Sequence, residues 1–146
     1  MPAPELNQDK KESLRKKYLF LAEDDDDDVE ILLESMQKLD QQIDVFVLKN
    51  GQQTLSYLES LPEERIPGLI LLDYNLPEIN GYQILITLAR LDKYKSVPKI
   101  IWSTSNSPFH IKECLDSGAL NYFVKPSEIT GFYLFAKEII DILHSP

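Results

Sequence analysis

Cysteine is almost missing from this chain: Cys114 stands alone among 146 residues, so no internal disulfide can staple the fold. Histidine is nearly as scarce. His110 and His144 have no second histidine at ligand spacing, which argues against zinc binding or a phosphohistidine role. No run approaches the roughly 18 apolar residues of a membrane span. The opening Met1-Pro2-Ala3-Pro4-Glu5 lacks the basic start and apolar core of a secretory signal. Positive charge is in deficit, with 15 Lys and Arg against 24 Asp and Glu and a net charge of −9, so neither a phosphate-tracking nucleic-acid surface nor an anionic membrane suits the molecule. These absences leave a cytoplasmic protein whose partners are proteins or cations. What is present is ordinary globular usage, 43% apolar and 27% charged, in a length that fits one domain.

Acid is spread unevenly. Residues 1–17 carry five basic and three acidic side chains, with Leu6 and Leu14 as the only large apolar residues, and read as a flexible polar leader. The folded domain is expected over 18–146. Tyr18-Leu19-Phe20-Leu21-Ala22 is a continuous apolar run, the pattern of a strand covered on both faces, and it stops at Glu23. Val29, Leu32, Leu33 and Met36 then share one stripe of a helix from about Asp26 to Leu39. The alternation repeats. Ile43 to Leu48 reads as a strand, and Asn50-Gly51 opens a helix carrying Leu55 and Leu58. Residues 61–67 form a loop. Gly68 to Leu72, the most apolar run, marks a central buried strand, and after the turn at 76–81 Ile84, Leu85, Leu88 and Leu91 mark a third helix. Lys99 to Trp102 is the fourth strand, Ser107-Pro108 caps a fourth helix, Asn121 to Val124 is the fifth strand, and Thr130 to Leu143 is the last helix. Five strands each followed by a helix specify an α/β fold, a doubly wound parallel sheet with helices on both faces.

In such sheets the loops after the strand carboxyl ends meet along one edge, so residues far apart in sequence become neighbours. The first strand ends in Glu23-Asp24-Asp25, the third in Asp73-Tyr74-Asn75, the fourth in Ser103-Thr104-Ser105 and the fifth in Lys125-Pro126. Two carboxylates about 4 Å apart repel by roughly 1 kcal/mol in water and about 4 kcal/mol at an effective dielectric of 20. A trio therefore requires positive charge. Lys125 supplies one unit, and a hard divalent cation with oxygen ligands, Mg²⁺ above all, suits the remainder. Asp73, at the end of the most buried strand, is the expected nucleophile, since a carboxylate can accept a phosphoryl group. Ser103 and Lys125 would hold phosphoryl oxygens.

These residues resemble the response-regulator receiver domains of two-component signalling over about residues 18–144. The acidic pair is Glu23-Asp24. Asp73-Tyr74-Asn75-Leu76-Pro77-Glu78-Ile79-Asn80-Gly81 matches the family's D-x-x-L/M-P-x-x-x-G setting, and Ser103 and Lys125-Pro126 match its hydroxyl and Lys-Pro. The resemblance implies a flavodoxin-like five-stranded sheet of order 2-1-3-4-5. It implies Asp73 as phosphoacceptor, with Mg²⁺ held by Glu23 through a water, by Asp24 and Asp73, and by the main-chain carbonyl of Asn75. It also implies Ser103 and Tyr122 as switch residues and a cis bond at Pro126. Phosphate would come from a sensor histidine kinase or phosphotransfer protein. The face of the fourth helix, fifth strand and fifth helix would contact a downstream protein, or support a weak dimer of an otherwise monomeric chain. With the chain ending at Pro146, no output domain is expected. Catalysis would be limited to the domain's own phosphorylation and dephosphorylation.

Several choices remain open. A one-residue offset would make Thr104 the switch hydroxyl instead of Ser103. The run Asp24 to Asp28 exceeds what the site needs, and Asp26 to Asp28 read as a solvated first helical turn favoured by the helix dipole. An EF-hand starting at Asp24 fails, because Val29 falls where glycine is needed and Ser35 where the closing glutamate belongs. Two other functions fit the acids: a Mg²⁺-dependent aspartyl-phosphate phosphatase, and a degenerate receiver that binds partners without phosphorylation. Cys114 reads as a small apolar filler.

Overall fold

The computed structural model describes residues 17–145, so the expected leader lies outside the described residues except for Lys17. Strands and helices alternate: β1 (Leu19–Ala22), α1 (Asp26–Leu39), β2 (Val45–Leu48), α2 (Gly51–Ser60), β3 (Leu69–Asp73), α3 (Gly81–Ala89), β4 (Lys99–Ser103), α4 (Pro108–Asp116), β5 (Asn121–Val124) and α5 (Ile129–Leu143). The strands form one parallel sheet in the order β2-β1-β3-β4-β5. Two 3₁₀ turns, Glu63–Arg65 and Asp92–Tyr94, occupy connections that carry no periodic signal in the sequence.

The period of two along the strands divides the core. Phe20, Ala22, Ile70, Leu72 and Ile101 face the side covered by α2, α3 and α4, which contribute Leu58, Ile84, Leu85, Leu88 and Cys114. Leu19, Leu21, Leu69, Leu71, Ile100 and Trp102 face the other side, where α1 and α5 pack with Leu32, Met36, Phe132, Phe135, Ala136 and Ile139. β1, β3 and β4 are buried throughout, which explains their unbroken apolar runs.

Helix starts follow the side-chain chemistry of the preceding residue. The Asp25 carboxylate accepts from the Asp28 N–H, Asn50 accepts from Gln53, and Asn80 and Gln83 form a reciprocal capping box. Ser107 caps α4 with Pro108 in its first turn. Leu91, expected on the third helix, falls beyond it. The Arg90 N–H turns to Thr87 O and the Leu91 N–H to Leu88 O, so the helix closes in a tightened turn while Leu91 still packs against the core. Among the described residues no helix is long and apolar enough to cross a membrane.

Candidate functional site

Parallel register brings the strand ends together. Ala22 lies beside Leu72, Asp73 beside Trp102, and Ser103 beside Val124, so Glu23, Asp73, Ser103 and Lys125 all emerge at one edge. Glu23, Asp24 and Asp73 each place a carboxylate oxygen within 4.8 Å of the others. Glu23 and Asp73 are buried and Asp24 is exposed, which leaves the trio open to solvent on one side. Lys125 closes the other side, with its Nζ 2.7 Å from Glu23 Oε1, 2.9 Å from Asp28 Oδ2 and 3.5 Å from Asp73 Oδ2, and 5.1 Å from the centre of the Trp102 ring.

Burial sets the protonation. The Glu23 carboxyl is pushed up to about 8 by loss of solvent and by its hydrogen bond with Asp73, only partly offset by the Lys125 ammonium. Burial works against the charge of Lys125, but the Glu23 and Asp28 carboxylates outweigh it and raise its affinity for the proton. The two partners therefore hold charge unequally: the lysine stays protonated, while Glu23 and Asp73 crowd each other. Glu23 Oε1 is fully buried and has no hydrogen bond, only the ionic contact with Lys125. An all-oxygen acidic trio, two members buried and Asp24 exposed, fits a hard divalent cation with retained water.

The β3–α3 loop is built around Asp73. Asp73 Oδ1 accepts the Asn75 N–H at 3.0 Å, and Gly81 N–H donates to Tyr74 O at 3.0 Å, folding the start of α3 back onto the loop. A Cβ at Gly81 would sit 2.4 Å from the Asp73 carbonyl oxygen, which is the physical reason glycine closes the motif. Ser103 is buried, and its Oγ accepts from Asn75 Nδ2 at 3.3 Å and from the Ser105 N–H at 3.1 Å. Thr104, the alternative hydroxyl, is exposed. Tyr122 lies inward with its hydroxyl donating to Ser105 O at 2.8 Å. Ser105 Oγ also meets His110 Nδ1 at 3.1 Å, and the His110 ring stacks on Tyr74 at 4.5 Å, so the residue after Asp73 touches the first turn of α4.

Two expectations need correction. The Lys125–Pro126 peptide bond is trans, as are all the described peptide bonds. An X–Pro bond favours trans by about 0.5–1 kcal/mol unless packing selects otherwise. Here the Pro126 ring seats against Gly131, where a Cβ would fall 2.7 Å from Pro126 Cβ. The solvated reading of Asp26 to Asp28 holds for Asp26, exposed and paired with Lys49, and for exposed Asp27. It fails for Asp28. In the first turn of α1, that side chain turns inward to Lys125, a placement that the run of five identical residues concealed.

A parallel sheet of order 2-1-3-4-5 with an acidic trio, a buried hydroxyl and a lysine at its carboxyl edge defines a doubly wound α/β domain with its charged groups gathered at one edge. The match to known proteins is more specific: the chain belongs to the response regulator receiver domain family, matched over residues 19–133. Two-component response regulator ORR8 of Oryza sativa subsp. indica is 32% identical over 105 residues, covering 72% of this chain and 84% of the relative. The crystal structure of the phosphorylated cyanobacterial phytochrome response regulator RcpA superposes with a TM-score of 0.80 at 26% identity, covering 88% of this chain and 94% of that one. The Mn²⁺-bound form of response regulator Rcp1 shares the fold, with a TM-score of 0.79 at 22% identity over 89% of this chain and 96% of that one.

Proposed function

We propose that this receiver domain is a phosphorylation switch in which Asp73 accepts a phosphoryl group from a sensor histidine kinase or phosphotransfer protein. A single observation supports the reading above the others: Asp73 sits buried within 4.8 Å of Glu23 and Asp24 oxygens, with the Lys125 ammonium alongside. Asp73 contributes the oxygen that bonds to phosphorus as the donor's P–N bond breaks, and the electron pair leaves with the imidazole, which takes up a proton. Lys125 and the Ser103 hydroxyl hold the new phosphoryl oxygens. Asp24, Asp73, the Asn75 main-chain carbonyl and, through a water, Glu23 would hold Mg²⁺, which supplies neutralisation of the phosphoryl charge.

The added charge of about −1.5 to −2 draws Ser103 toward Asp73 and disturbs the Ser105 loop on which Tyr122 and His110 rest. The signal passes from there to the face of α4, β5 and α5. Those elements carry the exposed apolar residues Phe109 on α4, Val124 on β5, and Ile129, Tyr133 and Leu134 on α5, which suit contact with a protein partner. The domain acts on no external substrate. Incubation with Mg²⁺ and acetyl phosphate, followed by intact-mass measurement, tests the proposal. A Mg²⁺-dependent, hydroxylamine-labile phosphoryl adduct absent in Asp73→Asn is expected. Donor turnover without an adduct would favour a phosphatase, and neither adduct nor turnover would favour a phosphorylation-independent binding module.

A further inference from the structure

Lys125 has three N–H donors and three carboxylates around it, yet its hydrogen bond goes to Asp28, at 2.9 Å. Glu23 lies closer still, at 2.7 Å, and Asp73 stands farther off, at 3.5 Å. Asp28 differs from those two in kind. It comes from the first turn of α1, and it lies outside the trio of carboxylates that converge on the candidate cation position. It therefore binds the lysine from outside that trio. The Asp28 side chain is itself largely sheltered, at 21% exposure, whereas its neighbour Asp27 is exposed and makes no contact with the amine.

We propose that Asp28 is a positioning residue that, with Glu23, parks the Lys125 ammonium on the α1 side of the site, leaving the Asp73 carboxylate available to the cation until a phosphoryl group on Asp73 draws the lysine across. This rests on the phosphoacceptor reading for its purpose, and on the ion-pair geometry for its existence. Without the Asp28 charge, the amine keeps one close partner, Glu23, and swings toward Asp73 to recover a second. Its charge then competes with the metal for the Asp73 carboxylate. The Asp28 side chain takes no part in capping α1, which uses the Asp28 N–H and the Asp25 carboxylate, so its replacement leaves the helix start intact.

The sole tryptophan, Trp102, lies against Lys125 and reports on it directly. Titrating the full-length protein with Mg²⁺ alone while following Trp102 emission needs no phosphodonor. In Asp28→Asn the midpoint is expected to rise about 10-fold, the scale of losing one charge-assisted hydrogen bond, and the metal-free emission to shift as the amine leaves its place. Asp27→Asn makes the same change in net charge on an exposed, screened side chain and should stay within about twofold of the unaltered protein. Asp28→Glu, which restores the charge, should recover most of the midpoint. Equal movement in Asp27→Asn and Asp28→Asn would show a general field effect and overturn the proposal, as would an unmoved midpoint in Asp28→Asn. If the titrations separate as expected but Asp73 never takes up phosphate, the phosphoacceptor reading fails and the parking of Lys125 stands.

Discussion

Neutralising Glu23 should stabilise the metal-free protein, and the size of the gain is fixed by its protonation. Its carboxyl titrates near 8 in the fold, raised by burial and by Asp73, against 4.5 in an exposed chain. The folded state therefore binds a proton that the unfolded state releases between those two values. A group whose affinity for the proton rises on folding stabilises the fold fully below its unfolded value, and that contribution is lost as pH climbs through the window. At 1.36 kcal/mol per pKa unit, the loss between pH 4.5 and 7 is about 3 kcal/mol, with more lost by pH 8. Glu23→Gln removes the titration, and its amide can still hydrogen-bond Asp73. Urea unfolding in EDTA at pH 5, 6, 7 and 8 should show the unaltered protein weakening across the series and Glu23→Gln staying nearly level, the gap widening upward in pH. Added Mg²⁺ should narrow that gap, because a ligand bound to the native carboxylates stabilises them by mass action. Parallel stability curves for the two proteins in EDTA would refute the reasoning, since they would mean that Glu23 is not the group that carries the strain.

Gly81→Ala would drive a Cβ to 2.4 Å from the Asp73 carbonyl oxygen, a backbone atom that cannot swing aside. A loss of about 1–3 kcal/mol in urea unfolding is expected from such overpacking, together with slowed phosphorylation as Asp73 is displaced; an unchanged midpoint would contradict it. Cys114 is buried, and loss of solvent pushes its thiol up to about 11. Native protein at pH 8 should therefore react with a disulfide reagent at least about 100-fold more slowly than protein in urea. Comparable rates would place the thiol at the surface.

The order of the elements was legible in the amino-acid pattern because parallel strands buried on both faces must be apolar without interruption. Phe20 and Leu21, or Leu71 and Leu72, face opposite layers yet are equally buried. The starts of α1 and α4 were also legible, since helix initiation is local: Ser107, read as a cap, acts on the His110 N–H, and Asp25 does the same for Asp28. That Glu23, Asp24, Asp73, Ser103 and Lys125 gather at one edge could be read from sequence for a related reason. A doubly wound sheet has one carboxyl edge, and whatever ends the strands must gather there.

What the chain alone left undetermined depended on direction rather than position. Asp26, Asp27 and Asp28 are the same residue type in one helical turn, and only the packing of α1 against the sheet decides which of them points at Lys125. The resemblance implied a cis bond at Pro126 where the structure has trans, and of the two candidate hydroxyls the structure buries Ser103 and exposes Thr104. Local sequence fixes periodicity, caps and charge; which way a given side chain faces is settled when helices and strands pack and take their burial from one another.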